Sequence, residues 1–332
     1  MNKHYHIYGI GAALVDTEIS VSDSDLTAMA VAKGVMTLVD EKRQAQLIDY
    51  LQEHLVNSQR ASGGSAANTI IAAGYFGCRN FFSCKVADDE NGHFYLSDIK
   101  AAGVSHPFQA ELPAGITGKC LVMITPDAER TMNTFLGISE TVSVAELDTD
   151  AIAAAEFAYI EGYLVTSSTG RAAAIALREH AERSQTRTAL SLSDPSIVQF
   201  FRDGLIEMIG PGVDLLFCNR DEAMSFTHTH SVEDALTALK KYCKTFVMTC
   251  GADGALIYDG NELVSVAAQS VKAVDTNGAG DMFAGAFLYA ITHGYSYEQA
   301  GNFASRAAAK VVSQFGPRLH AEQHDELKTY LP

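Results

Sequence analysis

One glycine-rich stretch towards the carboxyl terminus contains residue types that could bind an anion and accept a proton. Residues 275–281 read DTNGAGD, and apolar residues follow at helical spacing. A glycine turn that opens a helix directs unpaired backbone N–H groups and the positive end of the helix dipole at one spot, which suits a phosphate group. Asp281 falls in the first helical turn, where its carboxylate could take the proton of an attacking hydroxyl. The stretch therefore predicts phosphoryl transfer to a hydroxyl group.

The same stretch also has a purely structural interpretation. Asn-Gly is a strong hairpin signal, and Asp is common in the first turn of a helix because of the helix dipole. The functional interpretation is favoured for two reasons. Two glycines flank an alanine, which is more than a helix start requires, and the residues that follow have the period of a helix and not of a strand.

A second glycine turn, at residues 62–64, leads into a helix of small residues. Small residues favour close helix packing, and packing alone would account for this segment. Asn68, however, is a polar residue on a helix that is otherwise apolar, and it needs a hydrogen-bond partner if it is buried.

Together, the two stretches resemble the two signatures of the ribokinase/PfkB family of sugar and nucleoside kinases. The resemblance extends over nearly the whole chain, with both signatures in order and at about the right distance. It implies that Asp281 is the catalytic base and that Gly278, Ala279 and Gly280 form the anion hole. It also implies a ribokinase-like fold and ATP as the phosphoryl donor, with Mg²⁺ bridging the phosphates.

The resemblance further implies an acceptor site. Gly63, Gly64 and Asn68 match the first signature, whose glycine and Asn bind hydroxyls of the acceptor. Asp16 matches an amino-terminal Asp that binds a vicinal diol. A carboxylate can accept hydrogen bonds from both hydroxyls of a diol, so this residue type suits the task.

Several other residues match positions around the phosphates and the nucleotide. Arg130 matches an Arg of adenosine-kinase-like members that moves onto the transferred phosphates, although an exposed charge is an alternative explanation. Asn219 and Glu222 form a capping-box pattern, and they also match a motif associated with magnesium-bound water. Three further residues belong to a turn that lines the ATP site in the family: Thr249, Gly251 and Gly254. Family members often need a monovalent cation such as K⁺, and its nearest ligands here would be Asp275 and the backbone of Asn277.

The rest of the chain predicts an α/β fold that would position these residues. After a first strand at 5–11 and a helix at 41–56, helical and apolar stretches alternate from residue 146 onward. Such alternation indicates a central, mostly parallel sheet with helices on both faces. Helices are predicted near 146–155, 170–183, 203–209, 232–243 and 297–314, and strands near 157–161, 188–192, 214–218 and 245–250.

Residues 106–137 break this pattern, because turn residues there separate short apolar runs, as in hairpins. Two further stretches, 16–21 and 34–39, are predicted as exposed strands. We therefore expect one ribokinase-like kinase domain over 1–332, with a discontinuous β lid built from about 12–39, 58–62 and 104–137. Closure of that lid on the acceptor would exclude water and suppress ATP hydrolysis.

The composition argues against two classes of partner. The 332 residues include 40 acidic and 24 basic side chains, a formal net charge of −16. Nucleic acids and anionic membranes both require a basic surface, so neither is expected. Six scattered cysteines without a C-x-x-C pair, and a start without a signal-peptide core, favour the cytoplasm. The oligomeric state stays open.

The sequence thus predicts an ATP-dependent kinase that phosphorylates a primary hydroxyl. Asn277 and Arg130 favour the adenosine-kinase-like branch, with conversion of adenosine to AMP. A free-sugar kinase of the ribokinase or fructokinase type stays an alternative, as does a non-catalytic sensor, which would have no need of Asp281. Apolar residues of the predicted lid would cover a nucleobase: Leu14, Met36, Leu38, Met132, Phe135 and Leu136.

Overall fold

The strands of the chain form two sheets in a computed structural model that describes residues 3–52, 59–107 and 111–332. In chain order, the described strands are β1 (Tyr5–Ile10), β2 (Leu14–Ser20), β3 (Met36–Leu38), β4 (Gln59–Gly63), β5 (Asn80–Ser83), β6 (Val104–Ser105), β7 (Gly118–Ile124), β8 (Arg130–Phe135), β9 (Ala155–Glu161), β10 (Arg187–Ser191), β11 (Val213–Asn219), β12 (Cys243–Thr249), β13 (Ala255–Tyr258) and β14 (Leu263–Val266).

Helices connect most of these strands. The α-helices of the same residues are α1 (Asp23–Ala28), α2 (Glu41–Tyr50), α3 (Ser65–Phe76), α4 (Glu90–Ala101), α5 (Thr149–Ala153), α6 (Ser168–Arg183), α7 (Pro195–Ile209), α8 (Arg220–Thr227), α9 (Val232–Leu239), α10 (Ala279–Thr292), α11 (Tyr297–Val312) and α12 (Ala321–Lys328). Across the described part of the chain, none is long and apolar enough to cross a membrane.

The large sheet has nine strands in the order β14-β13-β12-β11-β10-β9-β1-β5-β6. Neighbouring strands from β12 to β6 in this order pair in parallel, and β13 and β14 add an antiparallel edge. Successive side chains of a strand point to opposite faces of the sheet, and helices cover both faces. The central strands are therefore buried on both sides. Ile7 and Leu215 thus belong to one apolar core with α3, α4, α10, α11 and α12, while Tyr8 and Leu216 belong to a second core with α5 to α9.

This arrangement confirms the predicted central sheet, mostly parallel and with helices on both faces. Some predicted boundaries were wrong. The helix predicted at 203–209 begins earlier, at Pro195, where Asp194 caps it and proline fits the first turn. The helix predicted at 146–155 is cut to Thr149–Ala153 because β9 begins at Ala155. Helix α2 ends at Tyr50, and residues 53–56 of that prediction lie outside the described residues.

The small sheet has five strands in the order β3-β8-β7-β2-β4. Strands β7 and β8 form the hairpin predicted within 106–137. One face of the sheet packs on α1 and α2 through a small apolar core that includes Ile19, Leu26 and Leu47. Val104–Ser105, assigned to the lid from the sequence, instead pairs with β5 in the large sheet. Residues 58 and 108–110 of the predicted lid lie outside the described residues.

Strand β2 corrects one prediction from the sequence. It was predicted to be exposed because acidic and apolar residues alternate along it, yet Asp16 is 6% exposed and Glu18 is 2% exposed. β2 is an inner strand of the small sheet, paired with β7 and β4, and other parts of the protein cover the face that carries these two carboxylates. Ile19 packs towards α1 and α2, and the two carboxylates lie on the opposite face, which is turned towards the large sheet. The acidic residues of this strand therefore belong to the interior of the protein.

Candidate active site

A cavity of about 650 Å³ lies between the small sheet and the carboxyl ends of the large sheet's strands. In open α/β sheets, this edge is where ligands bind. Glu161, Ser191, Asn219 and Thr249 line it from the ends of β9, β10, β11 and β12. The small sheet forms the opposite wall, and the first residues of α3 and α10 complete the lining between the two.

Helices α3 and α10 both begin at the cavity, and each begins with a glycine that no other residue could replace without strain. Gly64 has φ +94° and Gly278 has φ +72°, both in the left-handed region. A Cβ on Gly64 would lie 2.2 Å from the Ala12 carbonyl oxygen, and one on Gly278 would lie 2.2 Å from that of Pro317. Neither helix has a side-chain cap hydrogen bond at its N-cap residue, and first-turn residues of both helices line the cavity.

The two glycine stretches identified from the sequence meet at Asp281. Its carboxylate accepts a hydrogen bond of 2.6 Å from the Ser65 hydroxyl and one of 3.2 Å from the Asn68 amide nitrogen. The side chain is half-buried at the cavity wall. Burial raises the pKa of the Asp281 carboxyl above its ordinary value, and the two hydrogen bonds partly offset that rise. The result is a carboxylate held in one orientation and more basic than an exposed Asp.

The residues predicted to bind the acceptor lie together beside Asp281. Asn68 is 5% exposed, and its amide oxygen has no hydrogen-bond partner among the described residues. Asp16 lines the cavity from β2, and a Cβ on Gly63 would lie 2.0 Å from its carboxyl carbon. Glycine at 63 therefore leaves the space that the Asp16 carboxylate occupies. Burial, and then the nearby Glu18, raise the pKa of Asp16 well above its ordinary value, while Arg318 opposes the shift.

Glu161 is a cavity residue that the sequence prediction missed. It is 1% exposed and accepts hydrogen bonds from the backbone N–H groups of Ala66, at 2.8 Å, and Ala12, at 3.3 Å. It thereby fixes the first turn of α3 to the end of β1. Burial raises the pKa of Glu161 to about 7. The sequence feature that could have identified Glu161 is a carboxylate at the end of a buried apolar strand, at the edge of the sheet where ligands bind.

Arg130 lies beside the glycine turn of α10, as its predicted role requires. Its guanidinium donates a hydrogen bond of 3.3 Å to the side-chain oxygen of Asn277. The nitrogen of the same amide donates at 3.0 Å to Glu18, a second residue that the sequence prediction missed. Among the described residues that line the cavity, Arg130 alone is cationic.

At the far end of the cavity, Asn219 and Glu222 form the capping box predicted from their spacing. The Asn219 side chain accepts from the Glu222 N–H, and Glu222 accepts in return from the Asn219 N–H, both at 2.8 Å. Both residues also line the cavity. Burial raises the pKa of Glu222 to about 7. Asn219 and Glu222 therefore cap the start of α8, and because both line the cavity they could also contact a ligand.

Three residues of the predicted nucleotide turn have different surroundings. Thr249 and Gly251 line the cavity, and a Cβ on Gly251 would meet nothing within 4 Å. Gly254 lies outside that lining, and a Cβ there would lie 1.9 Å from the Val266 carbonyl oxygen. Its φ of +90° and this contact explain the glycine by the hairpin alone.

Asp275, a predicted cation ligand, is buried behind the glycine turn. One carboxylate oxygen accepts from the Asn277 N–H at 2.8 Å and the other from the Gly316 N–H at 2.9 Å. The residue thus fixes the turn to the loop that contains Pro317. Asn277, its predicted co-ligand, is also buried. A monovalent cation at this place stays a prediction.

Comparison with known proteins confirms the family resemblance and the ribokinase-like fold. A model of the pfkB family of carbohydrate kinases matches residues 35–324. The adenosine kinase of Saccharomyces cerevisiae is 28% identical over 335 residues, covering 95% of this chain and 96% of its own. The structure of adenosine kinase from Sinorhizobium meliloti superposes with a TM-score of 0.91 at 32% identity, covering 98% of this chain and 99% of that one. The structure of a probable sugar kinase from Rhizobium etli superposes with a TM-score of 0.91 at 31% identity, covering 99% of this chain and 100% of that one.

Gly280 allows the open end of α10 to be tested directly. A Cβ there would meet no heavy atom within 4 Å, so the fold itself does not require glycine at this position. We expect Gly280→Ala to keep the wild-type melting temperature or to raise it slightly, because Ala favours a helix by up to about 1 kcal/mol. The methyl group would occupy space needed by a phosphate, so kcat/KM for ATP should fall by roughly 10- to 100-fold.

Gly278→Ala is the contrasting variant, and it should melt at a clearly lower temperature because its Cβ overlaps the Pro317 backbone. Wild-type kcat/KM in Gly280→Ala would show that no ligand approaches this turn.

Proposed function

We propose the acceptor and the residue roles for this chain, which belongs to the pfkB family of carbohydrate kinases and is an ATP-dependent kinase that acts on a hydroxyl group. The acceptor is the 5′-hydroxyl of a ribonucleoside, most closely adenosine, and the product is AMP. The observation that carries this proposal is the position of Asp281, held by Ser65 and Asn68 between a polar acceptor pocket and the uncapped start of α10.

The proposed acceptor pocket offers two side chains that can accept hydrogen bonds from the hydroxyls of a ribose diol. The Asp16 carboxylate can accept from two adjacent hydroxyls, and the unpartnered amide oxygen of Asn68 can accept from one of them. A buried acceptor atom without a partner is costly, and a ligand hydroxyl would remove that cost. Asp16 and Asn68 would thereby place the ribose beside Asp281.

An apolar wall supports a nucleobase over a bare sugar. Apolar residues of the small sheet and of the segment directly after β8 line the cavity: Leu14, Met36, Leu38, Met132 and Leu136. Phe135, predicted for this wall, lies outside the lining, because side chains alternate along β8 and Met132 and Thr134 face the cavity. A flat apolar base would cover this wall, whereas a free sugar would leave it in contact with water.

The chemical step is an in-line transfer. The 5′-oxygen of the acceptor forms a bond to the γ-phosphorus of ATP as the bond from that phosphorus to the bridging β,γ-oxygen breaks, and ADP leaves. Asp281 takes the hydroxyl proton. The N–H groups of the turn at Gly278 to Gly280 stabilise the charge on the transferred group, and Arg130 binds the same phosphate from the lid side.

The donor end of the cavity fits the magnesium complex of ATP. Gly251 and Gly280 line the cavity and leave open space beside them, α10 has no side-chain cap hydrogen bond, and Glu222 also lines the cavity. Asn219 and Glu222 would hold water molecules around the ion, and Thr249 and Gly251 would contact the nucleotide. Bound Mg²⁺ would neutralise phosphate charge, which this predominantly acidic cavity does not do by itself. Asp275 and Asn277 are the residues proposed for K⁺.

A sugar kinase is the second candidate, because the chain is also similar to a probable sugar kinase at the same TM-score of 0.91. The polar half of the acceptor pocket fits either substrate class. The apolar wall on the small sheet favours the nucleoside.

Replacement of the proposed base should abolish most of the activity. In Asp281→Asn, kcat should fall by roughly 10²–10⁴-fold, as is typical of a lost general base, while the KM for ATP stays nearly unchanged. Steady-state kinetics with a coupled ADP assay measures both. Asp203→Asn, the same substitution at a side chain that is 98% exposed, is the control. Near-normal turnover in Asp281→Asn would remove this residue from the mechanism.

The acceptor can be identified by competition. With adenosine and ribose or fructose present together at limiting ATP, AMP should predominate over the sugar phosphate. Burial of the base on the apolar wall should contribute on the order of a few kcal/mol, a factor of roughly 10²–10³ in kcat/KM. Products are separated by ion-exchange chromatography. A predominance of sugar phosphate would refute the nucleoside as acceptor and leave the role of Asp281 untouched.

A further inference from the structure

We propose that Glu18 is a positioning residue for phosphoryl transfer: it fixes the orientation of the Asn277 amide and thereby holds the Arg130 guanidinium beside the glycine turn of α10. This role rests on the function proposed above, in which Arg130 binds the transferred phosphate. Glu18 itself lies outside the cavity lining and would touch no substrate.

The three side chains form one continuous chain of hydrogen bonds. Asn277 donates from its amide nitrogen to Glu18 at 3.0 Å and accepts at its amide oxygen from Arg130 at 3.3 Å. Its backbone N–H is bound by Asp275 at 2.8 Å, which fixes the main chain from which the amide projects. The next residue, Gly278, begins the turn that faces the cavity. The orientation of this amide is therefore transmitted directly to the proposed phosphate site.

The chemistry of the two partners allows only one orientation. A carboxylate accepts and a guanidinium donates, so the amide nitrogen must face Glu18 and the amide oxygen must face Arg130. Without Glu18 the amide is free to rotate, and its N–H₂ group could then face the guanidinium. Two donors would oppose each other, and Arg130 would lose its anchor.

The burial of Glu18 supports a functional reason for this residue. It is 2% exposed, and no Lys or Arg in the described parts of the chain forms an ion pair with it. Burial raises the pKa of Glu18 to about 7, the hydrogen bond from Asn277 opposes that rise, and nearby Asp275 adds to it while Arg318 opposes it. An unpaired buried carboxylate costs stability that a neutral side chain would not cost. Asn277 is the one described hydrogen-bond partner of the Glu18 side chain.

The location of Glu18 also links the acceptor site to the phosphate site. Glu18 follows Asp16 by two positions on β2, so both carboxylates lie on the same face of the strand. Arg130 comes from β8 of the same sheet, and the Thr276 hydroxyl bonds the Ala128 carbonyl oxygen in the turn before β8 at 3.4 Å. The sheet that binds the diol therefore also sets the Asn277 amide. Loss of Glu18 should lower kcat and leave the acceptor KM nearly unchanged, because Asp16 stays in place.

A double-mutant cycle tests whether Glu18 acts through Arg130. ADP formation is measured for wild type, Glu18→Ala, Arg130→Ala and the double variant, with whichever acceptor the wild type uses best. We expect Glu18→Ala to lower kcat by about tenfold, the worth of a hydrogen bond to a charged group, with the acceptor KM changed less than about threefold. In the Arg130→Ala background, the same substitution should change kcat less than about twofold.

Glu18→Gln is the conservative variant, since its amide oxygen can still accept from Asn277, and it should recover kcat to within about threefold of wild type. If Glu18→Ala melts well below wild type, Glu18→Leu replaces it in the cycle, because Leu fills most of the volume but cannot accept a hydrogen bond. An equal loss of kcat in both Arg130 backgrounds would overturn the proposal, as would wild-type kcat in Glu18→Ala. Preference for a free sugar would refute the proposed acceptor and leave the outcome of the cycle unaffected.

Discussion

The site depends on two helices that begin at the same point. Asp281, in the first turn of α10, reaches Ser65 and Asn68, in the first two turns of α3, only because the helices approach closely. Gly285 makes this possible, since a Cβ there would lie 2.6 Å from the Thr69 carbonyl oxygen. Close packing of α3 and α10 therefore places the Asp281 carboxylate next to the proposed acceptor pocket, with the first turn of α10 beside it.

Electrostatics is the second constraint. The chain carries a net charge of −16, and most of the ionisable groups that line the cavity are acidic. Burial raises the pKa of several of these carboxyls, so each is held where ionisation is costly. Polyphosphate would be repelled by such a site unless backbone amides, Arg130 and the magnesium ion of the nucleotide supplied positive charge. The cavity-lining carboxyls with a raised pKa are Asp16, Glu161, Glu222 and Asp281, and the pKa of Glu18, which lies outside the lining, is raised as well.

Much of this arrangement could be predicted from the sequence, and the rest could not, for identifiable reasons. Glycine turns followed by helix periodicity are local signals, so the starts of α3 and α10 were found together with Asp281 and Asn68. Glu18 and Glu161 were missed because their burial depends on segments far away in the chain: β2 lies between β4 and β7, and Glu161 bonds the start of α3. Side-chain alternation on β2 indicated a strand correctly but could not tell solvent from an interior cavity.

Asp281 is the proposed base of the transfer, and its surroundings set its pKa. The pH dependence of kcat tests this most directly, because its acid limb reports the base in the enzyme–substrate complex. Since the Ser65 hydroxyl stabilises the ionised carboxylate at 2.6 Å, Ser65→Ala should raise the pKa of Asp281, and kcat should begin to fall at a higher pH than in wild type. Ser105→Ala, at an exposed serine on β6, is the control and should leave the profile unchanged. An acid limb in Ser65→Ala that coincides with wild type, or lies at lower pH, would show that Asp281 is not the base whose ionisation controls kcat.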